Sequence, residues 1–305
     1  MNIMFMGTPD FALISLEKLV EWGYNVTCVV CREDKPKGRG GQMSMPPTKE
    51  FAIQKGINVY QPASFKDGVF MDVLEKENPD IIIVVAYGRI LPEYVLNYPK
   101  YGCINLHGSI LPKYRGSAPI QWTVINGDEL AGVSTMFMDK GLDTGDIIDI
   151  YTTPLGKTET AGELFDRLAV SGAELLCETI EKLRNGTAKR TPQIEAEATY
   201  APMLSKEMGC LNFNMPAEKI RNLVRGLNPW PSAYVNTNKG IMKVHSAEVT
   251  GKNADVPAGT RISSKDAIIL QTADGQISLT EVQLQGKKRM SAADLLRGHD
   301  IVIEE

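Results

Sequence analysis

Residues 81–86 read Ile81-Ile82-Ile83-Val84-Val85-Ala86, an unbroken apolar run with five β-branched side chains in succession. A strand wet on one face alternates apolar and polar residues, so an uninterrupted run predicts a strand covered on both faces, at the centre of a parallel sheet. Outward from it the same rhythm repeats. Met1–Met6 is a short apolar strand, followed by Gly7-Thr8-Pro9-Asp10 and a helix whose Phe11, Leu13, Ile14, Leu16, Leu19 and Val20 form an apolar stripe at helical spacing. Strands are predicted over Asn25–Cys31, Ile57–Tyr60, Cys103–His107 and Val133–Met138. Helices are predicted around Phe51–Ile53, Pro119–Asn126 and Ala161–Arg184. This alternation specifies a doubly wound, Rossmann-like, mainly parallel α/β sheet, in which ligands sit outside the carboxyl ends of the strands. Neither a G-x-G-x-x-G fingerprint nor a P-loop is present.

A chain of 305 residues exceeds the usual size of one domain. Lys189–Lys206 lacks periodicity and contains Pro192 and Pro202, which predicts a linker. Beyond it come one helix, Ala217–Gly226, and short alternating segments at 233–235, 241–249, 267–272 and 276–284, separated by turns such as Asn238-Lys239-Gly240. That texture predicts a small β-barrel. The expected domains are therefore 1–188, a linker at 189–206, and 207–305.

Apolar residues make up 43% and charged residues 23%, an ordinary globular composition. The N-terminus has no basic n-region, and every apolar run falls far short of the ~20 residues of a membrane helix. A cytoplasmic protein without membrane attachment is expected. The net charge of -4 argues against indiscriminate nucleic-acid binding while leaving room for a local basic face. Five scattered cysteines include one C-x-x-C pair, Cys28 and Cys31, but these lie within a strand rather than at a helix N-terminus, so reduced, buried thiols are expected.

Asn105 and His107 are two residues apart at the end of an apolar strand, so both point to one face at the mouth of the sheet. Histidine exchanges protons near neutral pH, and an asparagine amide stabilises a developing oxyanion without adding charge. A merely hydrogen-bonded histidine beside a turn-capping asparagine is the bland alternative. Asp139, Asp143 and Asp146 follow the next strand in a Gly-rich loop, where any of them could orient His107 or simply serve turn geometry. His245 and His299 fall in the second domain, so a histidine-rich metal site is not expected.

The segment Asn105-x-His107-Gly108-Ser109-Ile110-Leu111-Pro112-x-Tyr114-Arg115-Gly116, followed by Leu142-Asp143-Thr144-Gly145, resembles the signature of the folate-dependent formyltransferases, with S-I-L-P in place of the usual S-L-L-P. The resemblance implies Asn105, His107 and Asp143 as the catalytic set and 10-formyltetrahydrofolate as formyl donor, with no metal. It further implies a folate pocket lined by Ser109, Ile110, Leu111 and Pro112 and by Gly88, Arg89, Ile90 and Leu91, where backbone donors and acceptors suit a pterin edge. Matches at Phe5–Ala12, Lys37–Gly40, Asn228–Pro231 and Met290–Leu296 are similar to members acting on initiator Met-tRNA. For those the resemblance implies an OB-like C-terminal domain that helps bind tRNA, and a monomer is expected. Lys37 and Arg39, in a basic loop, and the cluster Lys287, Lys288 and Arg289 are the candidate tRNA contacts. A member acting on a nucleotide-linked amino sugar, a catalytically idle RNA-binding relative and a formylfolate hydrolase are the competing readings.

Overall fold

The computed structural model describes residues 1–37, 42–262 and 264–304. They fall into two compact units. One comprises Met1–Pro119, Leu130–Thr153 and Phe165–Ala201; the other comprises Ile120–Glu129, Pro154–Leu164 and Pro202–Glu305.

The first unit is built on seven strands: β1 (Asn2–Gly7), β2 (Asn25–Val30), β3 (Asn58–Tyr60), β4 (Ile81–Val85), β5 (Cys103–His107), β6 (Leu130–Phe137) and β7 (Ile147–Pro154). Their order across the sheet is β7-β6-β5-β4-β1-β2-β3. The pairs β1/β2, β1/β4, β2/β3 and β4/β5 are parallel, whereas β6 runs antiparallel to β5. The order reverses between β1 and β4, which is the switch point where such sheets open a crevice. All five residues of β4 are buried, as its sequence requires. One face carries Met4, Met6, Cys28, Val30, Ile82, Val84 and Cys103 into a core shared with Phe65, Phe70, Leu74 and Val95. On β5 the helix Ala161–Arg184 comes close: a Cβ at Gly172 would lie 3.0 Å from a Leu106 methyl, and the Phe165 ring of that helix packs against Phe11 at 5.1 Å, tilted by 60°. Each fully buried Leu or Ile contributes roughly 1.5–3 kcal/mol, which holds these layers together. Gly7 marks a close approach of strand and helix, since a Cβ there would sit 2.6 Å from Ala12 Cβ and 2.8 Å from the Val85 carbonyl.

The thiols of Cys28 and Cys31 are buried, and that burial pushes them up to about 12 and about 11 respectively, which leaves them unreactive near neutral pH. Cys210 departs from the expectation of burial: it is exposed.

The second unit is an antiparallel sheet with strands at 233–237, 240–249, 261–262, 268–271, 276–284 and 303–304, and a short strand at 290–291 paired with 276–284. Ile220 and Val224 of the helix Ala217–Gly226 pack with Val235, Met242, Val244, Leu270, Ile277 and Leu279 in one core. The guanidinium of Arg261, on one edge strand, donates to the Ile301 carbonyl beside the other edge strand. The sheet thus curls into a nearly closed barrel, which disposes of most of its free edge. Among the described residues no helix is long and apolar enough to cross a membrane.

The stretch 189–206 divides between the units at Ala201. Thr191 exchanges two backbone hydrogen bonds of 2.9 Å with Ile147 of β7. Tyr200 and Ala201 pair in parallel with Arg115 and Gly116.

Candidate active site

Asn105 and His107 sit on β5 at its carboxyl end, on the same face, as their two-residue spacing dictates. Gly108 ends the strand, and the chain turns through Ser109–Pro112. That loop is pinned from β6: Ser134, opposite His107 in the register, donates through Oγ to the Ser109 carbonyl at 2.7 Å and accepts from the Leu111 N–H at 3.1 Å. Ser109 Oγ in turn donates to the Lys113 carbonyl at 2.6 Å. Leu111 is buried against Met136 and Ile147.

Of the three candidate aspartates, the fold brings Asp143 to the histidine. Its Oδ2 lies 3.6 Å from His107 Nδ1 and accepts from the Gly116 N–H at 2.8 Å, while Oδ1 accepts from Asn105 Nδ2 at 3.5 Å. Asp143 adopts a left-handed conformation, φ +53°, unusual for a residue with a side chain. Asp139 is spent on turn geometry, accepting from the Gly141 N–H at 2.9 Å and from Thr144 Oγ1 at 2.6 Å. Asp146 pairs with Arg190 at 2.9 Å.

His107 is 5% exposed, and its other nitrogen, Nε2, lies 2.9 Å from the Tyr114 carbonyl. A carbonyl only accepts, so Nε2 carries the proton and Nδ1 is the nitrogen that faces Asp143.

The other proposed pocket segment follows β4. Gly88 takes a positive φ of +73°, and its carbonyl accepts from Arg32 at 3.0 Å. Ile90 is exposed while Leu91 is buried in the core. The guanidinium of Arg89 is already engaged, with Glu33 at 2.7 Å and with the Pro62 carbonyl. Tyr87, in the same segment, buries a hydroxyl that has no hydrogen-bond partner among the described residues, and burial pushes it up to about 12. Among the described residues no group of three or more His, Cys, Asp and Glu is arranged to hold a metal ion.

Arg39 lies outside the described residues, and Lys37 ends a short strand, Lys35–Lys37, paired with Gln42–Ser44. Lys287 and Lys288 are exposed on the barrel unit, whereas Arg289 is engaged with Glu281. Sequence reasoning passed over Gln193, whose side-chain amide reaches the backbone of the Asp143 turn, and gave no role to Ser134. Neither leaves a periodic signal, because each acts by one side chain reaching a loop.

Residues 1–180 match the model of the formyl transferase family, and residues 203–300 match that of the formyl transferase C-terminal domain. The chain is 51% identical over 299 residues to the methionyl-tRNA formyltransferase of Agathobacter rectalis, covering 98% of this chain and 96% of that one. It is 46% identical over 302 residues to the methionyl-tRNA formyltransferase of Caldanaerobacter subterraneus subsp. tengcongensis, covering 99% and 98%. Two solved structures share the fold. The sugar 3N-formyl transferase WlaRD, in the presence of dTDP and 5-N-formyl-THF, gives a TM-score of 0.69 at 19% identity over 94% of this chain and 99% of that one. HypX of Aquifex aeolicus, in complex with tetrahydrofolic acid, gives 0.61 at 17% over 96% and 46%. A mainly parallel sheet with Asn, His and Asp gathered at one strand end, matched by family models along both parts of the chain, places this protein in the formyl transferase family.

Proposed function

We propose that this enzyme transfers the formyl group of 10-formyltetrahydrofolate to the free α-amine of methionine on initiator Met-tRNA, in the cytoplasm. The observation that carries the chemistry is the convergence of Asn105 and His107 on the Asp143 carboxylate, at 3.5 Å and 3.6 Å. The acceptor is supported by identity to methionyl-tRNA formyltransferases that runs through both units.

In the reaction the amine attacks the formyl carbon, a C–N bond forms, and the carbonyl electron pair becomes an oxyanion. Asn105 has a second amide N–H beyond the one on Asp143 and donates it to that oxygen. His107, fixed as the Nε2–H form by Tyr114, takes or supplies a proton through Nδ1, with the Asp143 carboxylate balancing the charge. As the tetrahedral centre collapses, the C–N10 bond breaks and the proton lost by the amine reaches N10 by way of this pair or a water it holds. No covalent enzyme intermediate is needed. The pinned Ser109–Pro112 loop and the Gly88–Leu91 segment would hold the folate through backbone groups. The Tyr87 hydroxyl, without a partner among the described residues, fits a segment built to take a polar ligand.

Labelled formyl transfer to charged initiator and elongator tRNA tests the reading. Strong preference for the initiator is expected. Equal transfer to both, transfer to an amino sugar instead, or release of formate without dependence on any acceptor would overturn it. Arg39 and Lys37 are assigned to the acceptor stem, with Lys287 and Lys288 as further phosphate contacts. Loss of one such contact by Arg39→Ala is expected to raise KM for Met-tRNA roughly ten-fold and leave KM for the folate unchanged. An unchanged KM for Met-tRNA would remove Arg39 from the interface.

A further inference from the structure

Gln193 belongs to a stretch whose sequence reads as a linker, and the mechanism above does not use it. Its Nε2 donates to the carbonyls of both Asp143 and Gly145, each at 2.8 Å, and its Oε1 accepts from Arg115 Nε at 3.1 Å. The direction of this amide is settled by chemistry. An arginine offers only donors and a carbonyl only acceptors, so the reversed amide would face like with like at all three contacts.

Arg115 is itself fixed. It is 1% exposed, its Nη1 donates to Glu195 at 2.8 Å, and its backbone N–H donates to the Thr199 carbonyl at 2.8 Å. Thr199 Oγ1 also accepts from the Tyr114 N–H at 2.9 Å. Residues 191–201 therefore stitch together two loops. One carries Asp143; the other carries the Tyr114 carbonyl that orients His107 and the Gly116 N–H that holds the Asp143 carboxylate.

We propose that Gln193 is the positioning residue for Asp143, gathering two carbonyls of its turn so that the left-handed backbone presents the carboxylate to His107, with Arg115 setting the direction of the amide. The assignment rests on the reading of Asp143 as part of the reacting centre. A residue in the left-handed region relaxes unless its surroundings over-determine it, and here the two bonds from Gln193 supply that constraint. Glutamate is the informative replacement. It has the same shape and still accepts from Arg115, but it donates nothing and turns a carboxylate towards two carbonyls.

The test compares wild type, Gln193→Glu and Asp143→Asn with the double variant. Gln193→Glu is expected to lose roughly 10–100-fold in kcat, as supporting groups around reacting residues do, with KM for both substrates within about three-fold and a modest drop in thermal stability from the two lost hydrogen bonds. In the Asp143→Asn background the same change is expected to cost less than about three-fold, because its effect runs through that carboxylate. The chain has three histidines, so the imidazole resonance of His107 can be followed by NMR, and its titration is expected to change in Gln193→Glu. Full kcat in Gln193→Glu, equal cost in both backgrounds, or an unaltered His107 titration overturns the proposal. A wild type that transfers no formyl group overturns the functional reading instead, and the NMR titration still decides the positioning role.

Discussion

Asp143→Asn is expected to fold as the wild type does and to turn over roughly a thousand-fold more slowly, with KM for the folate little changed. The variant keeps an oxygen to accept from the Gly116 N–H and nearly the same volume, so the turn loses no packing. What disappears is the negative charge 3.6 Å from His107 Nδ1. His107 cannot exchange roles between its nitrogens to compensate, because Nε2 is committed to the Tyr114 carbonyl. Any proton held at Nδ1 then faces a neutral amide, and the charge built up during transfer goes unbalanced. Stopped-flow or quenched-flow measurement of the formyl transfer step checks this. His107→Ala and Asn105→Ala are expected to lose comparable orders of magnitude, but non-additively with Asp143→Asn, since the three act on one oxygen and one proton. Turnover of Asp143→Asn within a few-fold of wild type would move the proton-handling role to another group.

The sequence foretold this geometry unevenly, and the reasons are physical. The central strand was legible because burial on both faces demands an unbroken apolar run, and Ile81–Val85 has one. The shared face of Asn105 and His107 followed from the two-residue period of a strand. The helix Ala217–Gly226 was legible from its apolar spacing. By contrast, β7 passed unnoticed because Asp149, Tyr151, Thr152 and Thr153 interrupt it and much of its length is solvent-facing at the sheet edge. Nor does residue pattern report that β6 runs antiparallel to β5, since alternation is the same in either sense. Nothing in the residue pattern distinguishes the three aspartates, because Asp139 closing its own turn and Asp146 pairing with Arg190 are contacts that only the folded loops make. The stretch around Gln193 carries no periodic signal because its bonds go from single side chains and scattered backbone groups to other loops, which requires no repeat.

Gly145→Ala is the change expected to do the most damage to the fold of the site. A Cβ built at this buried position would lie 1.8 Å from the Phe137 carbonyl oxygen and 2.8 Å from its carbon. The obstacle is backbone of β6, not the end of a flexible side chain, so one of two backbones must move. The adjacent Asp146 carbonyl accepts from the Phe137 N–H at 2.9 Å, and the Gly145 carbonyl accepts from Gln193, so movement in either direction breaks hydrogen bonds. The cost is expected to exceed about 3 kcal/mol, the upper part of the range for forcing atoms into filled space. The same displacement carries Asp143, two residues earlier, away from His107, so surviving folded enzyme should be slower by a hundred-fold or more, as roughly 1 Å of misplacement produces. Denaturant unfolding of the first unit, followed together with kcat on the folded fraction, separates the two effects. Wild-type stability in Gly145→Ala would mean that the turn and β6 separate freely. In that case the glycine of the L-D-T-G motif would not owe its place to the close backbone approach that the structure shows.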